Sequence, residues 1–497
     1  MVGIRVTYSG LISFIISLSS VFTGLVFTII VTRQLTPEEF GTWGIIGVMT
    51  GYVLILDPIV SYWTTREIAR GQDSGKTSVT SSGIFASIGM IAYVVIVTLF
   101  DSQIEVDYGL MLFAIVLIPL AYVRTAIQSI SMGYKPETRS YGIIVFELTK
   151  IPIGFVLIYL LDYGLMGAIA TVAIATMVAI LVTAIKIREK LKGQFHREYL
   201  KSWLKRFWIP TYPKISNRIM NLDVVAFTLI AGTVADLAYW TAASAVSKMV
   251  AHAGQISSPV YGKLLEGGKI EYVQENIIRT MYFSFPLVSM AIIFSQPALF
   301  ILNPLYDVAG IIVIVMSVAL FFQTLNGLLE SALTGIEKVD LDQNASPKDY
   351  IKSKLFTLPT IRLIQRSIYL SAVVLVFILI SSKSENIIEV MIYWAAISLG
   401  VRIPISIYLY ILVKRAIKPK IKIIPIIKYL GSSIIVFGMT HYLMDEFLVY
   451  KESIFEFLPE FLIFAIIGIV GYLGLTYVID SRTRNLCKSI IKEVIKK

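Results

Sequence analysis

The sequence predicts an all-α polytopic membrane protein of about fourteen transmembrane helices, with both termini in the cytoplasm. Composition, apolar run lengths and the placement of Lys and Arg predict it. Of 497 residues, 56% are hydrophobic and only 15% are charged. Soluble domains carry about 25% charged residues. A soluble enzyme built on one core is therefore excluded, and so is a disordered chain.

A membrane helix needs about 20 mostly apolar residues. Such runs fall at 10–32, 43–63, 81–100, 108–130, 141–161, 164–185, 207–230, 235–259, 278–301, 308–330, 367–381, 387–413, 425–444 and 459–480. The eleventh is short. The first follows Arg5 and is longer than a signal-peptide core, so it reads as a retained helix. With the N-terminus inside, 35 of the 44 Lys and Arg fall in cytoplasmic segments, eight of them in 186–206. External segments hold only Arg33, Lys383 and Lys451, and are otherwise acidic, as in Asp101, Glu105, Asp107 and Asp445–Glu460. This alternation fixes N-in, C-in and an even number of crossings. It also explains the +11 net charge without nucleic acid, because the basic excess faces the anionic inner leaflet.

Other chemistries find little support. Cys487 is the only cysteine, and His196, His252 and His441 match no metal spacing. Gly71-Gln-Asp-Ser-Gly75-Lys76-Thr77 has three residues between its glycines where a phosphate-binding loop needs four, and no strand precedes it. Asn344-Ala-Ser346 is followed by Pro347 on the cytoplasmic side, so it is no glycosylation acceptor. No long loop could house a soluble catalytic domain; the longest, 335–366, is about thirty residues. The chain is expected not to be an enzyme and to hold no cofactor.

The first connection reads Thr32-Arg33-Gln34-Leu35-Thr36-Pro37-Glu38-Glu39-Phe40-Gly41-Thr42-Trp43. Thr36 is a helix N-cap, Pro37 takes the first helical position, and Glu39 closes a capping box. Helix 1 should end near Arg33 and helix 2 should start at Pro37. Arg33, Leu35, Pro37, Phe40 and Gly41 form an Arg-x-Leu-x-Pro-x-x-aromatic-Gly motif, followed after helix 2 by Thr64-Thr65-Arg66-Glu67-Ile68-Ala69. These residues, with the helix count and topology, resemble the polysaccharide-transport branch of the multidrug/oligosaccharidyl-lipid/polysaccharide exporter superfamily, which includes O-antigen (lipid-linked oligosaccharide) flippases.

The resemblance implies two six-helix bundles plus two extra helices. They would be an N-terminal bundle at 1–185, a basic cytoplasmic linker at 186–206, a C-terminal bundle at 207–413, two additional helices at 414–480 and a basic tail at 481–497. A faint repeat fits this. Phe27-Thr28 returns as Phe227-Thr228, and Glu39-Phe40-Gly41-Thr42-Trp43 returns as Asp236-Leu237-Ala238-Tyr239-Trp240. The second copy lacks the Pro and the Arg.

Six basic residues lie inside spans: Arg124, Lys150, Lys214, Arg218, Lys248 and Arg402. Each costs about 2.5–3.5 kcal/mol at the bilayer centre if it faces lipid, so each must snorkel, pair or face a wet cavity. Arg124 is shallow enough to snorkel. The acids inside spans are Asp57, Glu147, Asp223 and Glu330. Glu147 and Lys150 are three apart and can pair. Lys214 and Arg218 are four apart, as are Lys248 and His252, and each pair would stack like charge on one helical face unless an anion compensates it. Asp223 offers the structural alternative for the basic pair on helix 7. Helix 1 carries a small-polar face, Ser9, Ser13, Ser17, Ser20, Gly24 and Thr28, suited to close packing or to a cavity wall. Prolines such as Pro58, Pro152, Pro210 and Pro213 permit bends.

In the superfamily's architecture, helices 7 and 8 line a central cavity. The resemblance therefore implies a cationic wall of Lys214, Arg218 and Lys248, with Lys150 as a further candidate, binding a substrate phosphate. Asp57, Glu147, Asp223 and His252 are candidates for gating, or for coupling to a Na+ or H+ gradient. The implied activity is a cell-membrane flippase carrying an oligosaccharide on a polyprenyl (pyro)phosphate to the outer leaflet for cell-surface polysaccharide. Its implied partners are membrane lipids and glycan-assembly enzymes. A drug or cation antiporter of the same superfamily would favour acidic, aromatic cavities, and an intramembrane glycosyltransferase or ligase would depend on one carboxylate.

Overall fold

The computed structural model describes residues 19–20, 23–101, 107–135, 137–257, 271–337, 339, 347–380, 386–419, 421–485 and 488. Every regular element among them is helical. After α1 (described at 19–20 and 23–34) come α2 (Pro37–Val53), α3 (Pro58–Ala69), α4 (Gly75–Asp101), α5 (Tyr108–Phe113), α6 (Leu117–Tyr134), α7 (Glu137–Gly154) and α8 (Gly164–Lys186). The linker holds α9 (Arg188–Leu191) and α10 (Arg197–Lys205). Then follow α11 (Trp208–Ile219), α12 (Leu222–Ile230), α13 (Val234–Ser247), α14 (Glu271–Ile293), α15 (Ser295–Leu302) and α16 (Gly310–Gly335). The chain ends with α17 (Pro347–Lys352), α18 (Lys354–Ile380), α19 (Ile387–Ala416), α20 (Ile423–Phe447) and α21 (Ile454–Ile479).

Eleven helical stretches among the described residues are long and apolar enough to cross a membrane, which makes this a multi-pass membrane protein. The remaining three expected spans are interrupted or only partly described. The span expected at 207–230 is broken at Met220–Asn221 into α11 and α12, and the one at 235–259 passes from α13 into a tight 3-10 run, Lys248–Ser257. The stretch at 43–63 is not one helix either. A 3-10 turn at Leu54–Leu56 ends α2, and Pro58 opens α3, where its missing N–H costs nothing. Two expectations need correction. The eleventh span is not short, because α18 runs 27 residues from Lys354. The loop expected over 335–366 is correspondingly shorter, and it contains α17. Window hydropathy underestimated α18 because its cytoplasmic half carries Lys354, Arg362 and Arg366. Arg5, Ser9, Ser13, Ser17, Glu105, Asn344 and Cys487 lie outside the described residues.

The chain forms two compact units. One comprises 20–241 with 359–390. Tyrosine hydroxyls tie its helices together: Tyr122 donates to the Val53 carbonyl at 2.7 Å and Tyr93 to Met111 at 2.9 Å. Buried in an apolar setting, such a bond also removes the penalty of an orphaned carbonyl at a helix break. Pro152 lacks an N–H, and α7 relaxes three residues later into a π-helical turn, Phe155–Leu160. The same unit takes in α18 from Pro359 onward, through Tyr212–Thr360 at 2.7 Å and Ser216 donating to the Pro359 carbonyl at 3.3 Å.

The other unit comprises the described residues of 242–358 and 391–497. Here α14 packs on α20 and α21. Tyr472 donates to the Tyr282 carbonyl at 2.7 Å, Tyr429 to Asp480 at 2.6 Å, and Ser433 to Ser289 at 2.9 Å.

Candidate functional site

The start of α2 has the expected geometry. The Glu39 N–H donates to Thr36 Oγ1 at 3.2 Å, and the Thr36 N–H donates to Glu39 Oε2 at 3.1 Å. The other oxygen, Oε1, accepts the Leu165 N–H at 3.1 Å, so one carboxylate caps α2 and also serves the start of α8. Phe40 and Leu35 are buried. A Cβ on Gly41 would lie 1.7 Å from the Val234 carbonyl oxygen, so glycine allows α2 and α13 to touch backbone to backbone. Arg33 is half-buried in the last turn of α1. An external cavity of about 440 Å³ lies beside this junction, lined by Glu38, Glu39, Asp107, Leu165 and Val234 among others.

Deeper in the same unit, α11 carries Lys214 and Arg218 on one face, both half-buried. The Arg218 guanidinium lies over Gly51, where a Cβ would come within 2.4 Å of Nη1. The Tyr52 hydroxyl donates to the Arg218 carbonyl at 3.1 Å. Asp57 is buried, accepts from Ser61 at 3.2 Å, and is within electrostatic reach of Lys214. Among the described residues, neither Lys214 nor the Arg218 side chain forms an ion pair or hydrogen bond. Asp223 is buried on α12; it accepts the Val224 N–H at 2.8 Å and the Tyr369 hydroxyl of α18. Thus Asp223 is held by Tyr369 and does not pair with the basic residues of α11. Sequence reasoning missed Gly51, Tyr52 and Tyr369. A polar-tipped aromatic inside an apolar helix was the available signal for the two tyrosines.

Glu147 and Lys150 form a separate cluster. Lys150 Nζ lies 2.7 Å from Glu147 Oε2, and both side chains are nearly buried. Ser20 donates to Glu147 Oε1 at 3.0 Å and Thr23 to Oε2 at 2.9 Å. Lys150 also sits over the Phe27 and Phe146 rings. The small-polar face of α1 is therefore used, where described, to satisfy this carboxylate.

Lys248 and His252 belong to the second unit and lie in the 3-10 run. At about 120° per residue they point in different directions, so the stacking expected from α-helical spacing does not occur. Lys248 forms no ion pair or hydrogen bond among the described residues, and its side chain is exposed. His252 is half-buried.

On the cytoplasmic side, Trp203 of α10 is fully buried and donates to Glu67 Oε1 at 2.9 Å. Burial pushes the Glu67 carboxyl upward; the hydrogen bond from Trp203 and the charges of Arg206 and Arg70 oppose this. Arg206 lies over the Trp63 ring at 4.1 Å. At the α4 end of the Gly71–Thr77 stretch, protein occupies the space: a Cβ on Gly75 would meet the Lys190 carbonyl at 2.1 Å, and Thr77 accepts the His196 N–H. Among the described residues, no group of three or more His, Cys, Asp or Glu could hold a metal ion.

No family model matches the sequence, and no curated protein does. Solved structures do. Lipid II flippase MurJ in an inward closed conformation aligns with a TM-score of 0.64 at 16% identity, covering 94% of this chain and 98% of that one. An inward-facing multidrug resistance MATE family transporter of the MOP superfamily aligns with a TM-score of 0.60 at 17% identity, covering 82% and 99%. A MOP superfamily transporter from Pyrococcus furiosus, described as having a binding pocket of reverse polarity, aligns at 0.52 and 16% over 83% and 96%. The chain shares the fold of these structures. Within that fold the match to MurJ takes in about sixty more residues of this chain than the match to the MATE transporter, enough for two membrane helices of about 20 residues with their connections.

Proposed function

We propose that this protein is a flippase. It would move an oligosaccharide carried on a polyprenyl phosphate or pyrophosphate from the cytoplasmic to the outer leaflet of the cell membrane, for cell-surface polysaccharide or glycoconjugate synthesis. The observation that carries this reading is that Lys214, Arg218 and Lys248, three cations within expected spans, form no ion pair among the described residues, although Asp57 lies within electrostatic reach of Lys214. A cation at membrane depth is costly unless something supplies the missing charge. A phosphate on the substrate supplies it, and the sugars and phosphate cannot cross hydrocarbon unaided. The breadth of the likeness to a lipid-linked-substrate flippase fold supports the same reading.

In this reading the halves at 1–185 and 207–413 rock about the substrate while its isoprenoid tail stays in lipid, and 414–480 adds two helices. Lys214 and Arg218, on one face of α11, hold the phosphate; Lys248, in the other unit, is a separate candidate for the same role. Lys150, already paired with Glu147, contributes when that pair opens. Asp57, with one carboxylate oxygen lacking a hydrogen bond, is the first candidate for a coupled H+ or Na+; Glu147, Asp223 and His252 follow. No bond is made or broken, and glycan-assembly enzymes deliver the substrate.

The test is the double variant Arg218→Ala with Lys248→Ala in cells lacking the native protein. The expected outcome is complete glycolipid stranded on the cytoplasmic leaflet, with normal amounts of folded protein in the membrane. Wild-type export by that variant sinks the phosphate-site reading. Normal surface glycan in the null cells, with altered sensitivity to cationic compounds, favours the antiporter. Loss of activity on removing one carboxylate, with glycolipid still reaching the outer face, favours an enzyme.

A further inference from the structure

The linker between α8 and α11 carries seven Lys and Arg, and its second half winds into α10. Two contacts fix the rotation of that helix: the buried Trp203 with its hydrogen bond to Glu67, and the His196 N–H to Thr77 at 2.8 Å. At about 100° per residue, Arg197, Lys201 and Lys205 then share an edge turned away from Trp203. All three are exposed, and none forms an ion pair among the described residues. Leu204 lies beside them at 46% exposure, and Phe207, just past the helix end, is 49% exposed.

Position decides what covers this edge. Only Arg206 and Phe207 separate α10 from α11, which opens with Trp208. The C-terminal end of α10 therefore lies where the chain enters the membrane. A helix edge that pairs Lys and Arg with exposed large apolar groups, held at that depth, matches the boundary between headgroups and acyl chains. Arg206 differs, because it turns back onto Trp63 and Ser202.

We propose that α10 is an interfacial helix whose Arg197–Lys201–Lys205 edge binds the anionic phosphate headgroups of the cytoplasmic leaflet, with Leu204 and Phe207 entering the acyl boundary. Trp203 holds the helix to its bundle and the basic edge holds it to the lipid. The inference does not depend on which substrate is transported.

The single cysteine makes the test direct. Leu204→Cys in a Cys487→Ser background is labelled with an environment-sensitive fluorophore. The full-length protein is placed in nanodiscs of phosphatidylcholine, with or without phosphatidylglycerol, containing a lipid with a nitroxide near its headgroup. The expected result is blue-shifted, quenched emission in the phosphatidylglycerol discs. Adding Arg197→Gln, Lys201→Gln and Lys205→Gln should remove the dependence on phosphatidylglycerol. Each basic group near an anionic surface is worth about a five-fold preference, so native mass spectrometry should show the triple variant retaining many-fold less phosphatidylglycerol. Water-like emission in both discs overturns the interfacial placement. Equal quenching in both, with equal lipid retention by the triple variant, overturns the headgroup site.

Discussion

Glu39 shows how much one side chain does in this fold. It accepts two backbone N–H groups, one three residues away and one 126 residues away. The α2 cap could be read in the sequence because Thr36-x-x-Glu39 is a local pattern. The Leu165 contact could not, since nothing in a linear pattern reports which distant helix end meets a carboxylate. Glu39→Ala should lower stability by about 1–3 kcal/mol, combining a lost cap with a charge-assisted hydrogen bond. Glu39→Gln should recover part of that, measured by thermal unfolding in detergent. Glu67 gives a prediction with a sign. Its folded carboxyl is raised by burial, so between the unfolded and folded pKa values the native state binds more protons. Its contribution is fully present below the unfolded pKa and is lost as pH rises through the folded one. Glu67→Gln keeps an acceptor for Trp203 and should flatten this fall without lowering stability at neutral pH. A steeper pH dependence in that variant would contradict the assignment.

At the scale of elements, the faint repeat acquires a physical basis. The Asp236 N–H donates to Thr233 Oγ1 at 3.1 Å and the Thr233 N–H donates to Asp236 Oδ2 at 2.8 Å, a second capping box that starts α13 as Thr36–Glu39 starts α2. The Pro and Arg missing from the second copy are not needed for that cap. The two capped helices then meet. Gly41→Ala drives a Cβ into the Val234 carbonyl, which has no rotamer to escape into, so α2 and α13 must separate. The expected cost is about 1–3 kcal/mol, seen as a lower unfolding midpoint. Val234→Ala should not rescue it, because the clash is with backbone. At Gly44 the nearest atom is the Thr241 hydroxyl at 2.7 Å, and Thr241→Ala should relieve Gly44→Ala. At α18, charges within the helix lower local hydropathy and hide its cytoplasmic half; the break between α11 and α12 has no such signal, because 207–230 reads as one apolar run. Lys214 and Arg218 within that run are what make α11 interesting.

For the whole molecule, the deciding quantity is parity. Charge alternation requires an even number of crossings, while hydropathy and length select eleven helical stretches. The difference lies in α1, which is described only in part, and in the two interrupted runs after the linker. The structure indicates that the first of those runs does cross. The linker is cytoplasmic by charge, and Trp203 fastens it beside Glu67. At the far end of α12, Val234 lines the same external cavity as Glu38 and Asp107. The chain thus passes from one face to the other across 207–233 as two helices, α11 and α12, whose Lys214, Arg218 and Asp223 are half-buried or buried within the protein. Ala231→Cys in a Cys487→Ser background should therefore react with a membrane-impermeant maleimide in intact cells. Lys192→Cys should react only after the membrane is opened. Protection of Ala231→Cys until lysis would place α11 and α12 on the cytoplasmic side, and Lys214 and Arg218 would then lie outside the bilayer and lose their reason for seeking an anion.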